Sequence, residues 1–179
     1  MMNAAMKVFA ENGYENACTD VIVKEAGISK GLLFHYFISK AGLFEFIANY
    51  GMRYVKLEFS AVNISVDDSL FRSLRSVAMA KTQVMKQYPY VFLFLKKALR
   101  ESKEVIGEEN FTAVHEFAAY LEQLYLAGRS YEELQAEDKR AYKLAMYADA
   151  GAMERDLYEG RADGSLYYLE IMEICDMLR

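Results

Sequence analysis

Proline occurs once in this 179-residue chain, and cysteine and histidine twice each. Cys18 and Cys175 lie far apart with no metal-ligand spacing around them. A disulfide scaffold and a cysteine-type zinc site are therefore excluded, and the two read as thiols of a reducing cytoplasm. His35 and His115 are equally remote, and no carboxylate cluster at ligand spacing supports either, so a metal centre has little to draw on. No apolar run approaches the roughly 20 residues needed to span a bilayer. The opening "MMNAAMKVFAENGY" has neither a basic leader nor a long apolar core, so a cytoplasmic location without membrane attachment is expected. There is no nucleophile–base pair, glycine-rich phosphate loop or metal motif. No catalytic residue, metal or cofactor is expected, and the chain reads as a non-enzyme.

What the sequence does contain is an apolar fraction of 54% and 14% aromatic residues, enough for a substantial folded core. Its charge is unevenly spread. Residues 1–60 hold six basic and six acidic side chains, so the remaining 15 basic and 20 acidic ones give the whole net charge of −5. A nucleic-acid surface, if present, should be small and lie in the first third.

Helical periodicity dominates and no alternating strand pattern of useful length is found. "MNAAMKVFAEN" predicts a first helix, with Gly13 placed to end it. Thr19 is a candidate cap for "DVIVKEA", whose β-branched run could also suggest a strand; Gly27 and a fresh cap at Ser29 favour a short helix. "KGLLFHYF" follows, and Ser39 caps a long fourth helix through "LFEFIANYGMRYVKLEF". "SAVNISVDD" breaks the pattern. Further helices are expected over about 68–87, after a stop imposed near Tyr88 by Pro89, over about 108–127, 137–160 and 164–178. "YVFLFL" could be a buried strand, but "KKALRE" continues it in helical style. The fold class is all-α, with a helix-turn-helix unit at 1–47 and a larger helical domain at 48–179.

The glycine-containing turn between the second and third helices has the spacing of a helix-turn-helix, whose recognition helix enters the major groove by its N-terminal residues. Ser29 and Lys30 sit at the positive end of that helix, Gly31 permits close approach, and His35 and Tyr36 project polar ends from an apolar segment. Leu33 suits either the core or a thymine methyl, and Lys40 stands near enough to reach phosphate.

The stretch "AAMKVFAENGYENACTDVIVKEAGISKGLLFHYFISKAGLFEFI", from Ala4 to Ile47, resembles the DNA-binding domain of the tetracycline-repressor (TetR) family, with "AGISKG.L..YF.SK..L" its most specific part. The resemblance implies an operator-binding N-terminal domain and a helical domain that binds a small-molecule inducer and dimerises through its last two long helices. Carried over by position, the DNA contacts are Thr19, Ser29, Lys30, Gly31, Leu33, Phe34, His35, Tyr36 and Lys40. Phe34 stands where tyrosine is common, Cys18 where serine or threonine is usual, and Ile38 at a position usually small or basic.

In the larger domain Met79, Met85, Tyr88, Phe92, Phe117, Tyr120 and Tyr147 are candidates for a pocket taking a mainly apolar inducer, although such a stripe is equally the core of a helical domain. Ala141, Ala145, Ala148 and Ala152 form a small-residue stripe that suits close helix approach. With Ile171, Ile174 and Leu178 of the broadly apolar last helix they are candidates for a homodimer interface. The expected function is a ligand-responsive repressor that binds a pseudo-palindromic operator as a dimer. An all-helical enzyme or carrier with an incidental helix-turn-helix, and a dimeric scaffold protein, are the alternatives.

Overall fold

The computed structural model describes residues 1–65, 69–159 and 164–177. Among these residues the regular structure is entirely helical: α1 (Met2–Asn16), α2 (Thr19–Ala26), α3 (Lys30–Phe37), α4 (Lys40–Phe59), α5 (Leu70–Gln87), α6 (Val91–Ala98), α7 (Lys103–Ile106), α8 (Glu108–Tyr125), a 3-10 turn (Tyr131–Glu133), α9 (Ala136–Tyr158) and α10 (Ser165–Met177). No single helix among them is long and apolar enough to cross a membrane. Gly13 interrupts α1 with φ 75° and ψ 176°, after which one more turn runs to Asn16. Pro89 falls between α5 and α6, just ahead of the cap Tyr90. The one-turn α7 has no counterpart in the sequence reading, because four residues are too few to show a period.

The chain divides into two compact units, Met1–Tyr54 with Tyr88–Ala118, and Val55–Gln87 with Ala119–Arg179. The boundary expected at 47/48 lies inside α4, a 20-residue helix shared by both units. In the first unit α1 packs on α6 and α2. Its centre is aromatic: Phe44 stands edge-on to Phe9 and to Phe94, each at 5.3 Å between centroids, and to Tyr14 at 5.2 Å. All of the "YVFLFL" run lies in or beside α6, and Val91, Phe92, Phe94 and Leu95 are buried, which is why a strand reading was open for a fully apolar segment.

In the second unit α10 packs on α9 and α5. Here the small-residue stripe faces inward. Ala141, Ala145 and Ala152 are buried within this chain, as is Ile171 on α10, so these four are core residues and not available to a partner. The physical reason is the one that suggested an interface, since small side chains let helices approach closely, but α9 uses them against its own neighbours. Ala148 and Ile174 are half-buried, and Leu178 lies outside the described residues. The exposed apolar side chains of these helices are instead Leu144 and Tyr147 on α9 and Leu169 and Met177 on α10.

At the centre of this unit is a buried ion pair. Lys81 Nζ donates to both carboxylate oxygens of Asp149, at 2.8 and 2.7 Å, and the hydroxyls of Tyr125 and Tyr167 donate to Oδ1 at 3.1 and 2.5 Å. Burial, with the Asp149 charge beside them, raises both phenols well above the ordinary tyrosine range. Neither partner of the pair was singled out in the sequence, yet both carried a signal. Lys81 falls at i+7 from Leu74 on the apolar stripe of α5, and Asp149 at i+4 from Ala145 on the inward stripe of α9.

Candidate nucleic-acid interface

The helix-turn-helix is built by local chemistry. Cys18, extended at φ −98° and ψ 123°, is the residue preceding α2 and makes no capping bond with its side chain. Thr19, expected as the cap, is therefore the first helical residue, half-buried, and Asp20 supplies the first-turn negative charge that suits the helix dipole. Gly27 ends α2 at φ 65°, ψ 32°, the left-handed conformation that glycine adopts without a side-chain penalty. Two residues later Ser29 caps α3 as expected, its Oγ accepting from Leu32 N at 3.1 Å.

The outward face of α3 consists of Gly31, Leu32, His35 and Tyr36, all exposed, with Tyr36 at 70% exposure. The His35 and Tyr36 rings stand edge-on at 5.3 Å. Leu33 is 1% exposed and belongs to the core, so it cannot present a methyl group to a base; adjacent Leu32, at 45%, takes the outward position. Period alone could not choose between two consecutive leucines on an eight-residue helix. Phe34 is half-buried.

The cations are already engaged. Lys30 pairs with Asp20 at 2.8 Å, and that hydrogen bond raises its pKa. Lys40 donates to the Glu15 and Ala17 carbonyls at 3.0 and 3.3 Å and lies over the Tyr14 ring at 4.9 Å. Its ammonium thus satisfies the open carbonyls at the end of α1, with one donor left over. A phosphate would have to share Lys30 with Asp20 and Lys40 with the backbone.

The residues proposed to line an inducer pocket divide between the units. Tyr88, Phe92 and Phe117 belong to the first, where Phe92 and Phe117 are core and Tyr88 hydrogen-bonds the Tyr50 hydroxyl at 2.8 Å. Tyr88 and Tyr50 also border an apolar cleft of about 420 Å³ behind α3, shared with Leu32, Tyr36 and Phe46. Met79, Met85, Tyr120 and Tyr147 belong to the second unit. Met85 is buried there, Tyr120 is half-buried with Lys56 above its ring at 5.3 Å, and Met79 and Tyr147 point outward at 55% and 79% exposure. Met79 borders an open cleft of about 340 Å³ with Val62, Ser76, Ala80 and Gln83, whereas Tyr147 faces solvent. His115 accepts a local role, within 2.8 Å of the Phe111 carbonyl and 4.0 Å from its ring. No group of three or more metal-ligating side chains occurs among the described residues.

Residues 1–47 match the model of the bacterial regulatory proteins, tetR family. Over this segment the chain is similar to the tetR family. Over 47 residues it is 45% identical to the HTH-type transcriptional regulator UidR of Escherichia coli K12, and equally to that of Shigella flexneri. The match covers 26% of this chain and 24% of each relative, so the chain spans about a quarter of the length of the curated relatives it matches. The fold likeness extends further. A Clostridium perfringens protein proposed to regulate fatty acid metabolism superposes with a TM-score of 0.60 at 18% identity, over 98% of this chain and 96% of that one. A proposed tetR-family regulator from Shewanella sp. PV-4 gives 0.55 at 17%, over 99% and 93%. At such identities the likeness establishes the tetR-type all-helical fold and nothing finer.

Proposed function

We propose that this chain is a tetR-family transcriptional repressor that binds a pseudo-palindromic DNA operator as a symmetric homodimer and is released by a small, mainly apolar inducer. The observation that carries the reading is α3: capped by Ser29, with Leu32, His35 and Tyr36 outward, in the segment matched to the family. Its eight residues fit a major groove, where the edge-on His35 and Tyr36 supply polar ends and Leu32 an apolar one. Ser29, Lys30, Gly31 and Thr19 stand at the starts of α3 and α2, where backbone N–H groups favour phosphate. A second copy is supported by Leu144, Tyr147, Leu169 and Met177, four exposed apolar side chains on the last two helices.

An inducer can act only through unequal affinity for two conformations. The long α4, which starts at the reading unit and ends in the second, is the element that can transmit the difference. The test is a gel shift with DNA from upstream of the chain's own gene, titrated with salt. Retardation that weakens as salt rises, by a slope that falls when Lys30→Ala is introduced, is expected. An absence of retardation at all salt concentrations, with the protein folded, refutes operator binding and leaves the enzyme, carrier or scaffold readings.

A further inference from the structure

The residue that joins α3 to α4 holds a costly conformation. Ile38 has φ 61° and ψ −44°, and the Ser39 N–H donates back to the Phe37 carbonyl at 2.5 Å. That is a γ-turn of the positive-φ kind, which is rare and strained, and a β-branched residue is among the least suited to it. Nor is the side chain buried in return. At 86% it is the most exposed large apolar side chain among the described residues.

The neighbours enforce the turn. Gly42 N donates to Ser39 Oγ at 3.0 Å, and any side chain at Gly42 would overlap the Phe37 carbonyl oxygen. A bend of 69° between α3 and α4 results. Strain kept at an exposed position, with nothing in the fold to use the side chain, points outward to a ligand. In sequence Ile38 continues the exposed row of Gly31 and His35 at i, i+4 and i+7, one step beyond the helix.

We propose that Ile38 is an apolar DNA contact, its branched side chain resting against a thymine methyl or a deoxyribose face beside the bases met by His35. The proposal rests on the operator-binding reading above. It explains why a position held at positive φ carries a bulky hydrocarbon where glycine would relieve the backbone.

The experiment compares the parental chain with Ile38→Gly, Ile38→Asn and Ile38→Val on a duplex that the parental chain selects from a randomised pool. Glycine and asparagine tolerate positive φ. Ile38→Gly should raise the thermal midpoint by roughly 2–4 °C. It should nevertheless weaken DNA binding roughly tenfold, as expected for losing about two methylenes of buried contact, with the salt slope unchanged. Ile38→Asn should bind as weakly, which removes turn flexibility as the cause, and Ile38→Val should stay within about threefold of the parent. Replacing each thymine in turn by deoxyuridine distinguishes the two sources. One position at which the parent loses affinity and Ile38→Gly does not identifies a thymine methyl; no such position identifies the sugar. Glycine and asparagine variants that bind as tightly as the parent overturn the proposal while operator binding stands. A parent that selects no duplex at all overturns operator binding, and this contact with it.

Discussion

Replacing Asp149 by alanine should be among the most damaging single changes available in this protein. The carboxylate accepts two hydrogen bonds from Lys81, one from Tyr125 and one from Tyr167. The Lys81 side chain is 4% exposed and that of Asp149 12%, so solvent screening offers little relief. Removing one partner of a buried pair costs about 3–5 kcal/mol, because the other charge keeps its desolvation penalty. Each phenol that then lacks an acceptor adds about 1–3 kcal/mol. Against a total stability of roughly 5–15 kcal/mol, the second unit would be close to unfolding.

The paired replacement Lys81→Met with Asp149→Leu should behave differently, because it removes both charges and leaves apolar volume. It should recover the charge contribution of about 3–5 kcal/mol and keep only the cost of the two phenols, about 2–6 kcal/mol. Urea unfolding followed by far-ultraviolet circular dichroism measures both, with the thermal midpoint as a second reading. The single substitution, at about 5–11 kcal/mol with both phenols included, should lower that midpoint by roughly 10–40 °C at this chain length. A single variant within about 1 kcal/mol of the parent would refute the view that the pair is desolvated and mutually dependent.

Leu144→Glu with Leu169→Glu should give monomers by sedimentation and weaken operator binding through lost bivalency, whereas Ala145→Glu should reduce folded protein, since Ala145 is internal. Lys40→Ala should lower stability by about 1 kcal/mol through loss of the bonds to the Glu15 and Ala17 carbonyls, measurable by urea unfolding without any DNA. Burial, with Glu122 nearby, pushes the Tyr142 hydroxyl up to about 12. Its stabilising share is fully present below about pH 10 and lost as pH rises towards 12, so Tyr142→Phe should flatten the alkaline fall in stability over that window.

How much of this was readable beforehand follows from which interactions are local. The cap at Ser29, the αL residue Gly27 and the break at Pro89 depend on neighbours a few positions away, and all three stand where the sequence placed them. The cap of α2 slipped by one residue, because Thr19 has the better capping side chain but Cys18 has the extended backbone. Leu32 and Leu33 were interchangeable by period, and only packing assigned them. The alanine stripe revealed close helix approach but not which helix approaches. Lys81 and Asp149 are 68 residues apart, so their pairing is a tertiary fact, although each stood visibly out of place on an apolar face.

If α3 reads DNA as proposed, its shortness sets a limit on how much information it can extract. Eight residues at about 1.5 Å each make a rod about 12 Å long, which lies along roughly four base pairs of about 3.4 Å each. Four base pairs carry at most about eight bits, an address repeated by chance every few hundred base pairs. Two such readers on one duplex reach about sixteen bits, or one site in roughly 65,000. A genome of about a million or more competing positions would still hold many chance matches. Any selectivity beyond that limit has to come from the spacing between the two readings or from the stiffness of the base pairs between them, which no side chain touches.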